Sequence, residues 1–139
     1  MKRKRWLALL GVLCLCCTGA LASETDEEQA NDYIQYKDGY ATVSATAASI
    51  QDKPDTVIGT KTYSYHGLDG EVRFTYSVSA AFTFDGKKSE QTGNYTTFYV
   101  SDGWEKQTDD CNGKAIFTDG RRKRKIDLTI SCSKTGTIS

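Results

Sequence analysis

The sequence predicts an all-β fold, a small antiparallel β-sandwich of about seven strands, and three observations predict it. Residues 72 to 84 carry apolar side chains at every even position and, Ala81 apart, polar ones at the odd positions. Asp-Gly pairs punctuate the chain at Asp38-Gly39, Asp69-Gly70, Asp85-Gly86, Asp102-Gly103 and Asp119-Gly120, the last four spaced 16, 17 and 17 residues apart. From Tyr33 onward the composition runs to Thr, Ser, Tyr, Val and Phe, and the whole chain holds one proline, Pro54. Thr and Tyr suit a pleated, half-buried surface, and Asp-Gly tolerates the positive φ angles of tight hairpins. A chain of 139 residues builds one modest core. That length excludes a multidomain enzyme, a Rossmann protein or a TIM barrel.

Taken from the N-terminus, the first element is a targeting signal. Lys2, Arg3, Lys4 and Arg5 form a basic start, Leu7 to Thr18 is an apolar run, and Ala20-Leu21-Ala22 has the small-x-small form of a cleavage site. That pattern reads as a signal peptide removed after Ala22, and the expected location is secreted, extracellular. A membrane anchor needs about 20 predominantly apolar residues, more than the 16 of Leu7 to Ala22. Cys14, Cys16 and Cys17 raise a lipoprotein signal, but Leu13, Leu15 and Cys16 precede them where a lipobox wants a small residue. No later stretch is apolar enough for a transmembrane span. Residues 23–32 follow as an acidic spacer with almost nothing to bury, expected to be disordered, with a short frayed helix as the alternative.

The formal net charge of zero hides unlike segments. The signal carries four bases and no acids, residues 24 to 38 carry six acids and one base, and the remaining 101 residues carry 13 bases and 12 acids. The β domain, residues 33–139, is therefore nearly neutral.

Its expected strands are Tyr40 to Ile50, Val57 to His66, Val72 to Phe84, Tyr95 to Ser101, Lys114 to Thr118 and Ile126 to Cys132. The Ala-rich stretch from Thr42 to Ser49 also fits a short helix. In the third strand Val72, Phe74, Tyr76, Val78, Ala80, Phe82 and Phe84 hold the even positions. One face is thus buried and the other wet. Thirteen residues reach roughly 43 Å, so a bend or bulge is expected near Ala80-Ala81, with a crossing between two sheets as one outcome.

Cys111 and Cys132 are the two cysteines left after cleavage, and an even count in an exported domain suggests a disulfide bond. If they face each other across an antiparallel pair, partner numbers sum to 243. Phe117 then meets Ile126, Ala115 meets Leu128, and Gly113 meets Ile130. A two-residue turn at Asp119-Gly120 would instead set Phe117 against Arg122 and Ala115 against Arg124, which a one-sided core disfavours. In the first register Thr118 to Lys125 becomes a hairpin loop tipped by Arg121, Arg122, Lys123, Arg124 and Lys125. Five consecutive positive charges attract polyanions through counterion release and steering. The expected partners are an anionic cell-wall polymer, acidic glycan or lipid head groups; nucleic acid fits an exported protein poorly. The plainer reading is a solvated loop whose charge keeps a hairpin edge from pairing. Asp102, Glu105, Asp109, Asp110 or the acidic spacer could neutralise it internally.

Catalytic signals are sparse. His66 is the lone histidine, and no nucleophile elbow, zinc motif or phosphate-cradling glycine loop occurs. No metal and no cofactor is expected. Asp109-Asp110 does not read as a glycosidase pair, because neighbouring strand residues point to opposite faces. Tyr63 with Tyr65, Tyr95 with Tyr99, and Trp104 offer a glycan-stacking reading beside ordinary packing. Asn94-Tyr95-Thr96 matches an N-glycosylation acceptor, relevant in a eukaryotic secretory pathway.

Phe82-Thr83-Phe84-Asp85-Gly86, Gly103-Trp104, and the closing stretch Asp127-Leu128-Thr129-Ile130-Ser131-Cys132-Ser133-Lys134-Thr135-Gly136-Thr137-Ile138-Ser139 resemble a group of small uncharacterised secreted β-rich proteins of Gram-positive, gut-associated bacteria. The resemblance covers residues 72–139 and implies an exported β protein without implying an activity. The sequence thus points to a non-enzymatic binding or cell-surface module with a basic loop. The alternatives are an antimicrobial or toxin-like β protein acting on competitor envelopes, or a small hydrolase.

Overall fold

The structure is a computed structural model that describes the backbone of residues 27–139 and the side chains of residues 32–139. The expected signal peptide and residues 23–26 lie outside the described residues. Eight strands form two antiparallel sheets and no helix occurs among the described residues. Strands β1 (Glu27–Tyr36), β2 (Gly39–Ile50), β3 (Lys53–Gly67), β4 (Val72–Phe84) and β5 (Ser89–Val100) make a five-stranded meander in chain order. Strands β6 (Glu105–Asp109), β7 (Lys114–Thr118) and β8 (Lys123–Asp127) make a three-stranded one.

The alternation along β4 organises the core. Phe74, Tyr76, Val78, Ala80 and Phe82 are all buried on one face. Their cross-strand partners Tyr65, Tyr63, Gly59 and Val57 on β3 are buried with them. The small sheet lays Ala115, Phe117 and Ile126 over this surface. Phe74 and Phe117 stack with ring centres 4.3 Å apart, and Trp104 packs its ring on Phe74 at 5.1 Å. After β8 the chain runs on as an irregular cover. Leu128 and Ile130 are buried, and Ile130 and Ile138 close over Gly59 so tightly that a Cβ there would collide with both. Burying this many aromatic side chains supplies the main stabilisation of so small a domain.

Several expectations change. The strand Val72 to Phe84 and the strand Lys114 to Thr118 have the expected bounds, and the irregularity falls between Ala81 and Phe82. However, β4 stays in one sheet along its whole length. Thr42 to Ser49 is strand, not helix. Residues Glu27 to Asp32, expected in a disordered spacer, belong to β1 and pair with β2 from Glu27↔Ala48 to Tyr36↔Gly39. That strand has no apolar pattern to announce it. It is templated by backbone bonds to β2. The four Asp-Gly pairs from Asp69 onward form turns with glycine at positive φ. Gly39 instead sits in β2, where a side chain would run into the His66 carbonyl.

Candidate functional site

The basic run Arg121 to Lys125 does not form a five-charge loop. The turn is tighter than expected, closed by the Asp119 N–H donating to the Arg122 carbonyl at 3.3 Å, and β8 begins at Lys123. Partner numbers across β7 and β8 sum to 241, with Ala115↔Ile126 and Phe117↔Arg124 directly opposed. This is neither register weighed from the sequence. It follows from the turn, where the Asp119 carboxylate accepts the N–H groups of Arg121 and Arg122 at 3.0 and 2.7 Å. The Thr118 hydroxyl bonds the Arg122 carbonyl at 2.8 Å.

Strand alternation then divides the run. Arg122 and Arg124 turn inward at one end of the sandwich, and Arg121, Lys123 and Lys125 stay exposed. Asp38, in the β1–β2 turn, receives both inward arginines: Arg122 Nη1 at 2.8 Å and Arg124 Nη2 at 2.5 Å. Arg122 also pairs with Asp119 at 2.6 Å. Aromatic faces complete the nest. The Arg124 guanidinium lies 4.3 Å from the Tyr36 ring centre and 5.0 Å from that of Tyr65, and Arg122 lies 5.3 Å from that of Trp104. Arginine suits this place because its planar fork pairs with a carboxylate while its face stacks on rings. Burial opposes the ionised Asp38, but hydrogen bonds from Arg122 and Tyr65 and the charge of Arg124 outweigh it, so its carboxyl lies below the usual range. At Asp119 burial is likewise overcome, by the Arg122 backbone and side chain, and the pKa falls to about 2. The acids that neutralise the inward half are therefore Asp38 and Asp119, not Asp102, Glu105, Asp109 or Asp110.

A second buried carboxylate ties the sheets together elsewhere. Asp109 of β6 accepts the Tyr76 hydroxyl at 2.7 Å, the Cys111 N–H at 2.8 Å and Lys106 Nζ at 3.0 Å. Burial raises its pKa, yet these bonds bring the net shift downward. Asp110 points away and caps the next turn through the N–H groups of Asn112 and Lys114. Asp109, Asp110 and Asp127 border a hollow of about 590 Å³ on the outer side of the small sheet. Each is engaged by its own turn or sheet contacts, Asp127 by the Thr129 N–H and hydroxyl. No metal-binding cluster of His, Cys, Asp and Glu occurs among the described residues, and no helix long and apolar enough to cross a membrane occurs among them.

Cys111 and Cys132 are free thiols in the structure, contrary to the expected disulfide. The Cys111 carbonyl accepts Asn94 Nδ2, and the Cys132 carbonyl accepts the Ser89 hydroxyl at 2.5 Å. Asn94 and Ser89 lie five residues apart on β5, roughly 17 Å of strand, far beyond the Cα separation a disulfide spans. The β7–β8 ladder ends at Lys114↔Asp127, so Cys111 in the β6–β7 turn and Cys132 in the stretch after β8, bridged to Ile138, both lie outside it. Burial pushes the Cys132 thiol up.

The tyrosines also divide. Tyr63, Tyr65 and Trp104 are buried in the core, whereas Tyr95 and Tyr99 stand 64% and 55% exposed on β5. His66 stacks on Tyr40 at 4.6 Å and its Nδ1 lies 3.2 Å from the Gly70 carbonyl oxygen. Asn94, the residue of the glycosylation motif, is engaged by Cys111 and Asn112. No protein-family model, curated protein or solved structure matches the chain.

Proposed function

We propose that the chain is an exported, non-enzymatic binding module that takes a linear anionic cell-wall polymer along β8. One observation carries this reading: Lys123 and Lys125 on the edge strand β8, and Arg121 in the turn before it, remain exposed while Arg122 and Arg124 are held inward by Asp38. Alternate residues of a strand lie about 6.7 Å apart, so Lys123 and Lys125 present a short row of charge. A linear phosphodiester chain can run along such a row. The inward arginines fix the strand that displays it, and this rigidity lowers the ordering cost of binding.

Purified wall teichoic acid is the probe. Binding should fall with rising salt and be lost in the triple variant Arg121→Gln, Lys123→Gln, Lys125→Gln, whose melting temperature stays close to that of the parent. Unchanged binding in that variant would reject the reading. A second reading is favoured by the position of β8 at a sheet edge: the lysines keep that edge from pairing with another copy. It predicts that Lys123→Gln with Lys125→Gln associates with itself, and that the parent ignores the polymer.

A further inference from the structure

The outer face of the five-stranded sheet carries an unbroken field of hydroxyl groups. Three adjacent cross-strand rows run over β2, β3, β4 and β5. They are Thr42–Ser64–Thr75–Tyr99, Ser44–Thr62–Ser77–Thr97 and Thr46–Thr60–Ser79–Tyr95. All twelve positions bear a hydroxyl, Ser79 alone among them being buried, and none bears a charge, in a chain whose residues are 26% charged. Ordinary solvated faces mix both signs of charge. At the end of the field near the β1–β2 turn, Tyr33, Tyr40 and His66 stack in a line, with ring centres 5.3 and 4.6 Å apart.

We infer that this face is a platform for a neutral polysaccharide. The chemistry is complementary at each level. Serine and threonine hydroxyls both donate and accept, so they match sugar hydroxyls in either sense. Uncharged groups cost little to desolvate compared with ions. Tyr95 and Tyr99, on the same face and about 13 Å apart along β5, offer exposed rings for the apolar faces of separate sugars in one chain. The field is preorganised: threonine is stiff at χ1, and Thr60 with Ser79 and Thr62 with Ser77 are already joined across the strands at 2.8 Å. The rigid sheet leaves little ordering to be done on binding.

Area argues against a second copy of the chain as the occupant. Strands about 4.8 Å apart and alternate residues about 6.7 Å apart give the twelve positions roughly 400 Å². A face-to-face pair meeting through the hydroxyl field alone would then bury about 800 Å², short of the roughly 1,600 Å² of a stable interface. An extended glycan needs no such area.

The experiment measures retention of the full secreted chain on insoluble cellulose, soluble mixed-linkage β-glucan and α-mannan, at low and at high salt. Retention on at least one of them, indifferent to salt, is expected. Tyr95→Ala with Tyr99→Ala should weaken it by roughly tenfold or more, and Ser77→Lys should abolish it, both with an unchanged circular-dichroism spectrum. Absence of retention on all three overturns the inference. So does retention that falls with salt and disappears in Lys123→Gln with Lys125→Gln, because the basic row would then be the site. Sedimentation that shows a dimer broken by Ser77→Lys assigns the face to a second copy and overturns it as well. Because β8 and this face lie on different sheets, loss of anionic-polymer binding leaves the result here standing.

Discussion

The two faces of the large sheet are written in the same strands, yet they do opposite things. On β4, Phe74, Tyr76 and Val78 disappear into the core, while Thr75 and Ser77 between them keep contact with solvent. The basic run through the β7–β8 turn and into β8 repeats that division with charges: Arg122 and Arg124 go inward and Arg121, Lys123 and Lys125 outward. Alternation therefore assigns side chains to stability or to display, one residue at a time. A patch of like residues in sequence need not be a patch in space.

The division can be broken most severely from inside. Phe74→Ala removes a fully buried ring stacked on Phe117 and should cost about 4 kcal/mol in urea unfolding. Asp109→Ala leaves the buried Tyr76 hydroxyl and the Lys106 ammonium without their acceptor and should cost about 3 kcal/mol. Asp38→Ala acts at a half-exposed rim, where Arg122 keeps Asp119. A loss of about 1 kcal/mol is expected, since solvent screens the pair. Acid sharpens the same point. An unfolded Asp119 takes up its proton near the ordinary aspartate value of 3.8 and the folded one near 2, so between those values the unfolded chain binds more protons. Stability contributed above pH 4 should therefore be lost as the pH falls from about 4 to about 2. Asp38→Asn and Asp119→Asn should flatten that acid limb. At the small end, Thr75→Ala on the outer face should change stability by less than about 0.5 kcal/mol.

The sequence made some of this readable and not the rest, for identifiable reasons. The alternation Val72 to Phe84 announced β4 to the residue, and its run of small residues placed the irregularity. Strand β6 escaped because Glu105-Lys106-Gln107-Thr108-Asp109 has no apolar period, and β1 because its Glu, Gln and Asn residues look like a solvated tail. The β7–β8 register escaped for a different reason. Matching apolar with apolar forbade Arg opposite Phe117, yet Arg124 sits there because Asp38, 86 residues away, accepts it. Local pattern cannot report an acceptor so distant. The cysteine pairing failed because the β7–β8 ladder stops at Lys114↔Asp127 and leaves both cysteines outside it. The hydroxyl field was hidden too: each row joins four strands, and only their registers set Tyr95 opposite Ser79 and Tyr99 opposite Thr75.

The salt dependence of teichoic acid binding tests the divided basic run most directly. A single phosphodiester chain releases about 0.7 counterion per neutralised charge, so three outward cations predict a slope of log K against log salt of about −2. A slope of about −3.5, the value for all five basic residues acting together, would contradict the inward placement of Arg122 and Arg124, and so would a slope left unmoved by Lys123→Gln.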